Sequence, residues 1–310
     1  MWNLTRLRVL VAVAREGSVT GAAEALHYAQ PSVSHHLARL EAEVGVVLVR
    51  RVGRGVLLTD AGRLLVERAE EILGRVESAR AEVAAHAGLR TGRVRLAAFP
   101  SALATLVPPA AARLAAEHPG VELALTEAEP PAALTALRNA DVDAALIFAH
   151  EAPPAGDQRN TTLTPLLEEP LYLVTGGASS EAAGRADASP AGLRAHAGDS
   201  WIAGCERCRA HLVSVCERAG FTPRITFETD DYVAVQALVA AGLGVSVLPG
   251  LALAAHRDER VRAERLPGEM RRVALALYGT GPAPEPARAF AEVLKETVTP
   301  WRGGFPDGGG

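Results

Sequence analysis

Three cysteines, Cys205, Cys208 and Cys216, lie in the short run GCERCRAHLVSVCERAG, with His211 among them and Arg207 and Arg209 alongside. Flanking guanidinium groups lower a thiol's pKa and make it redox-reactive. A C-x-x-C with a third thiol and an imidazole also offers enough donors for zinc or another soft metal. Against both, Cys216 falls at the spacing of a buried helix position, free cysteine is a frequent core residue, and no second C-x-x-C follows. The structural or ligand-pocket reading is favoured, and a redox- or metal-responsive role for Cys205, Cys208 and Cys216 stays as the alternative. No cofactor and no metal ligand set is assigned. Too few thiols are present for a disulfide framework, which fits a reducing compartment.

Other chemistry is harder to find. There is no Walker loop, no GxGxxG after a strand, and no nucleophile with a base and an orienting acid, so the chain is not read as an enzyme. Asp230 and Asp231 resemble metal ligands or paired acids, but their position ahead of an apolar helical run makes them helix caps first. The remaining cluster with a chemical use is Gln30, Ser32 and Ser34. Gln pairs bidentately with adenine, and Ser or His bonds base edges or phosphates.

That use requires a particular scaffold. Leu7, Leu10, Val11 and Ala14 recur at helical spacing from Leu4, and Ser18 caps a short alanine-rich helix to Leu26. A third helix starts near Gln30, with Pro31 in its first turn and Gly45 as its stop. Val33, Leu37, Leu40 and Val44 form its buried stripe, leaving Ser32, His35, His36 and Arg39 on other faces. Two short helices with such a turn are what major-groove reading needs. Short strands are predicted at Val46–Val49 and Gly55–Leu58. From Thr59 a long helix runs to about Ala87, with Leu65, Ala69, Ile72, Val76, Ala79 and Val83 at the 3.5-residue period of a coiled-coil seam, which predicts dimerisation.

Charge is distributed accordingly. Residues 1–59 hold seven arginines, including Arg39 and Arg54, against four glutamates, a balance of +3 that leaves −7 for the rest of a chain whose net charge is −4. The asymmetry fits a nucleic-acid-binding module joined to an acidic domain. With 310 residues, 48% of them hydrophobic, there is core enough for two or three domains. The apolar run Val9–Ala14 is too short for a signal sequence and is cut off by Arg15 and Glu16, so a cytoplasmic location is expected.

The segment GSVTGAAEALHYAQPSVSHHLARLEAEVGVVLVRRVGRGVLLTDAG resembles the N-terminal winged helix-turn-helix of LysR-type transcriptional regulators. The double alanine, QPSVSHHLARLE, Gly45, the arginine-bearing wing and the LT-AG step carry the likeness. It implies that Gln30, Pro31, Ser34 and His35 sit in or beside the major groove and that Arg54 reaches the minor groove from the wing. The chain departs from the family pattern at Val49, where an aromatic residue is usual, and at His35, where arginine is frequent.

After a glycine-rich hinge at Gly88–Gly92, strands and helices alternate. AAFPSALATLVPPAAARLAAEHPGVEL, DVDAALIF and AGFTPRITFETDDYVAVQALVAAGLGVSVLP resemble the family's effector-binding half, which is similar to periplasmic binding proteins. Predicted strands are Val94–Phe99, Val121–Thr126, Ala144–Phe148, Leu171–Val174, Trp201–Ala203, Ile225–Glu228, Val245–Leu248 and Val273–Tyr278. Helices are expected at 101–117, 131–139, 207–219, 231–241 and 286–298. Ser101, placed to cap the first of these, could hold a carboxylate on the free N–H groups there or serve as an ordinary cap. Glu129, Phe148, Cys205, Thr229 and Pro249 follow by position, each at the C-terminal end of a strand, where open α/β sheets place ligands.

The sequence thus predicts an all-α winged helix-turn-helix at 1–59, a dimerisation helix at 60–89 and an effector domain of two Rossmann-like α/β lobes at 92–300. Lobe I covers about 92–163 and 267–300, lobe II about 164–266, and 301–310 is a disordered tail. The expected partners are double-stranded DNA with an approximately palindromic operator, a small-molecule effector such as a carboxylate, further copies of the chain as a homodimer or homotetramer, and RNA polymerase. A cytoplasmic solute-binding protein is the alternative from another class.

Overall fold

The computed structural model describes residues 3–53, 55–86, 92–150, 161–176, 190–279, 283–302 and 305. Three helices, α1 (Leu4–Glu16), α2 (Val19–Ala25) and α3 (Gln30–Val44), open the chain. Their ends follow from local chemistry: Ser18 accepts the Gly21 N–H at 3.0 Å, and Gly17 and Gly45 adopt the left-handed conformation that stops α1 and α3. Leu7, Leu10, Val33, Leu37 and Leu40 are buried among them.

The wing is β1 (Val49–Val52) paired antiparallel with β2 (Gly55–Leu58). Its first strand therefore starts where the predicted one ended, because Glu41 at the end of α3 accepts the N–H groups of Leu48 and Val49 at 2.8 and 3.2 Å and holds Val46 and Val47 outside the ladder. Thr59 then caps α4 (Asp60–His86), accepting the Gly62 N–H at 3.0 Å while donating to the Val47 carbonyl at 2.8 Å.

The stripe on α4 divides. Leu65 and Ala69 are buried, and Ile72 packs with them, in the same core as α1 and α3. The expectation that the whole stripe serves as a dimer seam is corrected for these three residues, which are spent inside the chain. Beyond them Val76 is half-buried, Ala79 exposed and Val83 71% exposed.

The second part of the chain contains β3 (Gly92–Ala98), α5 (Pro100–Thr105), α6 (Val107–Glu117), β4 (Val121–Glu127), α7 (Pro130–Arg138), β5 (Ala144–Ala149) and β6 (Thr161–Gly176). It continues through α8 (Pro190–Ala195), β7 (Ser200–Ala203), α9 (Glu206–Arg218), β8 (Arg224–Glu228), α10 (Tyr232–Ala240), β9 (Val245–Pro249), α11 (Gly250–Ala255), β10 (Val261–Tyr278), α12 (Glu285–Thr297) and α13 (Thr299–Arg302). The strands form one mixed sheet in the order β4-β3-β5-β10-β6-β9-β7-β8. β3, β4 and β5 are parallel at one end and β7, β8 and β9 at the other. β6 and β10 run antiparallel through the middle, with a register break between Arg265 and Met270, and so belong to both lobes. Each lobe is covered on both faces. Phe99, Leu114 and Phe290 pack under α5, α6 and α12, and Leu134 and Ile147 under α7, while Trp201 and Leu212 lie under α9 and Val235 and Val239 under α10.

Several sequence expectations are revised. The single helix at 101–117 is two, α5 and α6, meeting at Leu106 ahead of Pro108 and Pro109. The strands predicted at 171–174 and 273–278 are the C-terminal parts of the longer β6 and β10. The tail is ordered at its start: Trp301 is helical and Phe305 packs on its ring, 5.3 Å between centroids. The hinge at 87–91 and the remainder of the tail lie outside the described residues, whereas Gly92 already pairs in β3. Among the described residues no helix is long and apolar enough to cross a membrane.

Gly62 shows what the LT-AG step is for. A Cβ there would sit 2.0 Å from the Leu48 carbonyl oxygen, so the first turn of α4 lies directly on the wing's entry. Gly62→Ala is expected to lower stability by about 1–3 kcal/mol through forced separation of these backbones, read as a lower urea midpoint at unchanged m-value.

Candidate functional site

The polar face of α3 is open to solvent. Gln30, Pro31, Ser32, His35 and Arg39 are exposed and Ser34 is half-buried, while Val33, Leu37 and Leu40 hold the helix from the opposite side. Tyr28, 44% exposed, extends the same surface, its ring centroid 6.2 Å from that of His36. Gln30 through His35 thus present the helix's first turns outward, with the backbone rigidly packed behind them. Arg54, between β1 and β2 in the sequence, lies outside the described residues. Gly53 beside it turns the wing at φ 60°.

The predicted cleft residues gather into two groups. In the first, Arg271 on β10 and Glu169 on β6 stand opposite each other in the strand pair and form an ion pair between side chains that are 3% and 0% exposed. Arg271 Nη2 also donates to Ser101 Oγ at 2.8 Å, and its guanidinium lies 4.2 Å from the Phe148 ring centroid and 4.9 Å from that of Phe99. Glu169 accepts the Leu251 N–H at 2.8 Å, at the start of the helix that Pro249 caps by position. Burial pushes the Glu169 carboxyl up, and the Arg271 charge and the Leu251 N–H pull it back. Ser101 is therefore not the cap of α5, a position that Phe99 fills. It is the second residue of the helix, 5% exposed, with its hydroxyl already engaged.

The second group joins Glu129, at the N-terminus of α7, to Cys205, at the N-terminus of α9, and to Asp230, after β8. One ligating atom from each lies within 4.8 Å of the others. Burial raises the Glu129 carboxyl, opposed by a hydrogen bond from Cys205, and burial raises Asp230. Asp231, not Asp230, caps α10, accepting the N–H groups of Val233 and Ala234 at 2.9 and 3.1 Å. Thr229 Oγ1 accepts the Asp231 N–H at 3.2 Å in the turn between them.

The cysteines separate. Cys205 and Cys208 bring their sulfurs to 3.2 Å as free thiols, whereas Cys216 is buried in the core of the second lobe beside Trp201 and Leu212. Burial holds the Cys216 thiol near 12. A three-thiol site is excluded by this geometry. His211 stacks on His150 with centroids 4.0 Å apart, and burial, with His211 and Arg271 nearby, drives His150 down to about 2, so its ring is neutral. Arg207 Nη1 donates to the Phe148 carbonyl at 3.3 Å, linking α9 to the end of β5. An apolar depression of about 560 Å³ opens on the α7 side of the sheet, lined by Ile147, Leu163, Pro165 and Ala274, and takes in only Phe148 of the predicted cleft residues.

Sequence reasoning missed Arg271, Glu169 and His150. The signal for the first two is the pair of adjacent charges on each strand: Glu168 with Arg272 lies exposed at 3.1 Å, one residue out of phase with the buried pair.

Residues 4–63 match the family model of the bacterial regulatory helix-turn-helix protein, lysR family, and residues 87–299 match that of the LysR substrate binding domain. The chain is 30% identical over 297 residues to the HTH-type transcriptional regulator TfdS of Cupriavidus pinatubonensis, covering 94% of this chain and 97% of that protein. It is 28% identical over 265 residues to GltR of Bacillus subtilis, covering 85% and 86% respectively. Among solved structures, full-length OxyR C199D from Pseudomonas aeruginosa superposes with a TM-score of 0.68 at 25% identity, covering 96% of this chain and 95% of that one. CbnR bound to its target DNA superposes with a TM-score of 0.60 at 23% identity, covering 96% and 100%. The fold and the exposed reading helix define a two-part regulator, and the chain belongs to the LysR family. It is a DNA-binding transcriptional regulator with an effector-binding domain, not an enzyme.

The ion pair gives a direct expectation. Arg271→Met leaves a buried carboxylate without its cation and is expected to cost about 3–5 kcal/mol of unfolding free energy. The double change Arg271→Met with Glu169→Leu should recover much of that loss in the same urea titration.

Proposed function

We propose that residues 1–59 read an approximately palindromic operator as part of a homodimer, that residues 60–89 pair the subunits, and that residues 92–300 take a small organic carboxylate between two lobes, about 92–163 with 267–300 and about 164–266. The carrying observation is the solvent-facing row Gln30, Pro31, Ser32, Ser34, His35 and Arg39 backed by a buried apolar stripe. Gln30, Ser32, Ser34 and His35 would face base edges or nearby phosphates, Arg39 the phosphate backbone, and Arg54 the minor groove. Pairing through α4 is supported by its exposed half, where Val83 presents an apolar side chain at the seam spacing. A tetramer would bring two such dimers together, and RNA polymerase is the partner through which bound effector would change transcription. A carboxylate effector is supported by the Arg207 guanidinium beside Phe148, and Ser101 would have to exchange its bond from Arg271 to join it.

DNA retardation with fragments flanking the gene tests the reading. Gln30→Ala should cost about 1–3 kcal/mol against the specific site and little against random duplex. Arg39→Ala should weaken both alike and reduce the salt slope by about one. Indifference to every such fragment at low salt would overturn the assignment of this helix. Val83→Glu, at a side chain 71% exposed in the single chain, should shift the species seen by sedimentation velocity toward monomer; an unchanged dimer would place the interface elsewhere.

A further inference from the structure

The second cleft group has a composition the regulatory reading does not use. Glu129 comes from lobe I, and Cys205 and Asp230 from lobe II, so three acidic donors converge across the gap between the lobes. Glu129 Oε2 is fully buried yet has no hydrogen-bond partner, an expensive state for a carboxylate oxygen. Arg271, whose charge acts on it, is committed to Glu169 and Ser101. Cys208, one helical turn from Cys205, adds a second sulfur at 3.2 Å from the first.

We infer that Glu129, Cys205, Cys208 and Asp230 form a site for a single thiophilic divalent cation of the zinc type that ties the two lobes together. Two sulfurs from a C-x-x-C with two carboxylates select a borderline-soft metal over magnesium or calcium. Metal–sulfur bonds of about 2.3 Å and metal–oxygen bonds of about 2.1 Å set tetrahedral donors roughly 3.5 Å apart. Glu129, Cys205 and Asp230 need to contract only modestly from their present mutual approach within 4.8 Å, and the Cys208 sulfur, which lies outside that group but 3.2 Å from that of Cys205, has to turn toward them. Binding replaces the thiol hydrogens of Cys205 and Cys208 by metal–sulfur bonds and releases two protons to solvent, with no change of oxidation state. The buried Glu129 oxygen gains the partner it lacks. Because one ligand belongs to lobe I and three to lobe II, occupancy favours the closed arrangement of the cleft.

The inference rests on the effector-cleft reading only for the placement of the site between lobes, and its test is separate. Full-length protein, stripped by chelation and kept reduced, is titrated with Co²⁺ and then Zn²⁺ without DNA or organic ligand. One equivalent of Co²⁺ per chain should give a thiolate-to-cobalt charge-transfer absorption that Zn²⁺ abolishes. Cys205→Ser should remove the absorption and Cys208→Ser roughly halve it, while Cys216→Ala leaves it intact. Glu129→Gln and Asp230→Asn should each weaken binding about tenfold or more with the thiolate band still present at saturation. Absence of the band, its survival in Cys205→Ser, or unchanged affinity in Glu129→Gln would overturn the inference. Ser101→Ala, which touches none of the four donors, should keep the cobalt band; if carboxylates then act on it as on the unaltered protein, the carboxylate reading fails and the metal site stands.

Discussion

The architecture of the second domain depends on keeping one guanidinium and one carboxylate dry. Arg271 and Glu169 face each other at the middle of the two strands that cross between lobes, where neither can reach water. Such a pair is a poor source of net stability, since desolvation consumes most of the Coulombic gain, but it is unforgiving of misalignment. It fixes the register of β6 against β10, and from there Ser101, Leu251 and the faces of Phe99 and Phe148 are drawn to the same point. Elements from widely separated parts of the chain, α5, β5, α11 and the crossing strands, are therefore positioned by one polar contact at the floor of the cleft.

The N-terminal domain solves its positioning problem with no buried charge among its described residues. Side-chain caps from Ser18 and Thr59, the Glu41 carboxylate on the wing, and the close approach allowed by Gly62 lock short elements that could not stand alone. The result is a rigid platform whose outward face carries only side chains free to meet another molecule. Rigidity behind and polarity in front are what a reading helix requires, because base-edge hydrogen bonds are discriminating only when the backbone cannot drift to accommodate a wrong partner.

Legibility in the sequence followed the same divide. The helices of residues 4–44 announce themselves because their apolar residues recur at helical spacing and their ends carry Ser, Pro and Gly where those residues have a mechanical use. The crossing strands do not. Pro165, Pro170, Glu168 and Glu169 interrupt β6, and Arg262, Arg265, Pro267, Gly268, Arg271 and Arg272 interrupt β10, so only their apolar C-terminal parts at 171–174 and 273–278 read as strand. The buried pair among these charges shows only once the two strands are laid side by side. Asp230 was hidden differently: next to Asp231, which does cap α10, it passed for part of the same cap, and its approach to Glu129 and Cys205 depends on lobe geometry that no local pattern encodes. The seam on α4 was legible as a period, but period alone cannot say that its first half is spent inside the chain.

The stalk helix is not a free tether. The Tyr278 hydroxyl donates to the Glu71 carbonyl at 2.9 Å, a Cβ at Gly74 would come within 2.8 Å of the Arg138 carbonyl oxygen, and Arg15 of the first helix reaches Asp141 at 3.3 Å. Lobe I is thereby clamped to the shaft that carries the reading head, while no such contact ties lobe II to it among the described residues. On the effector reading, any shift of lobe II on filling the cleft would be felt first at the surfaces it turns toward a neighbouring subunit.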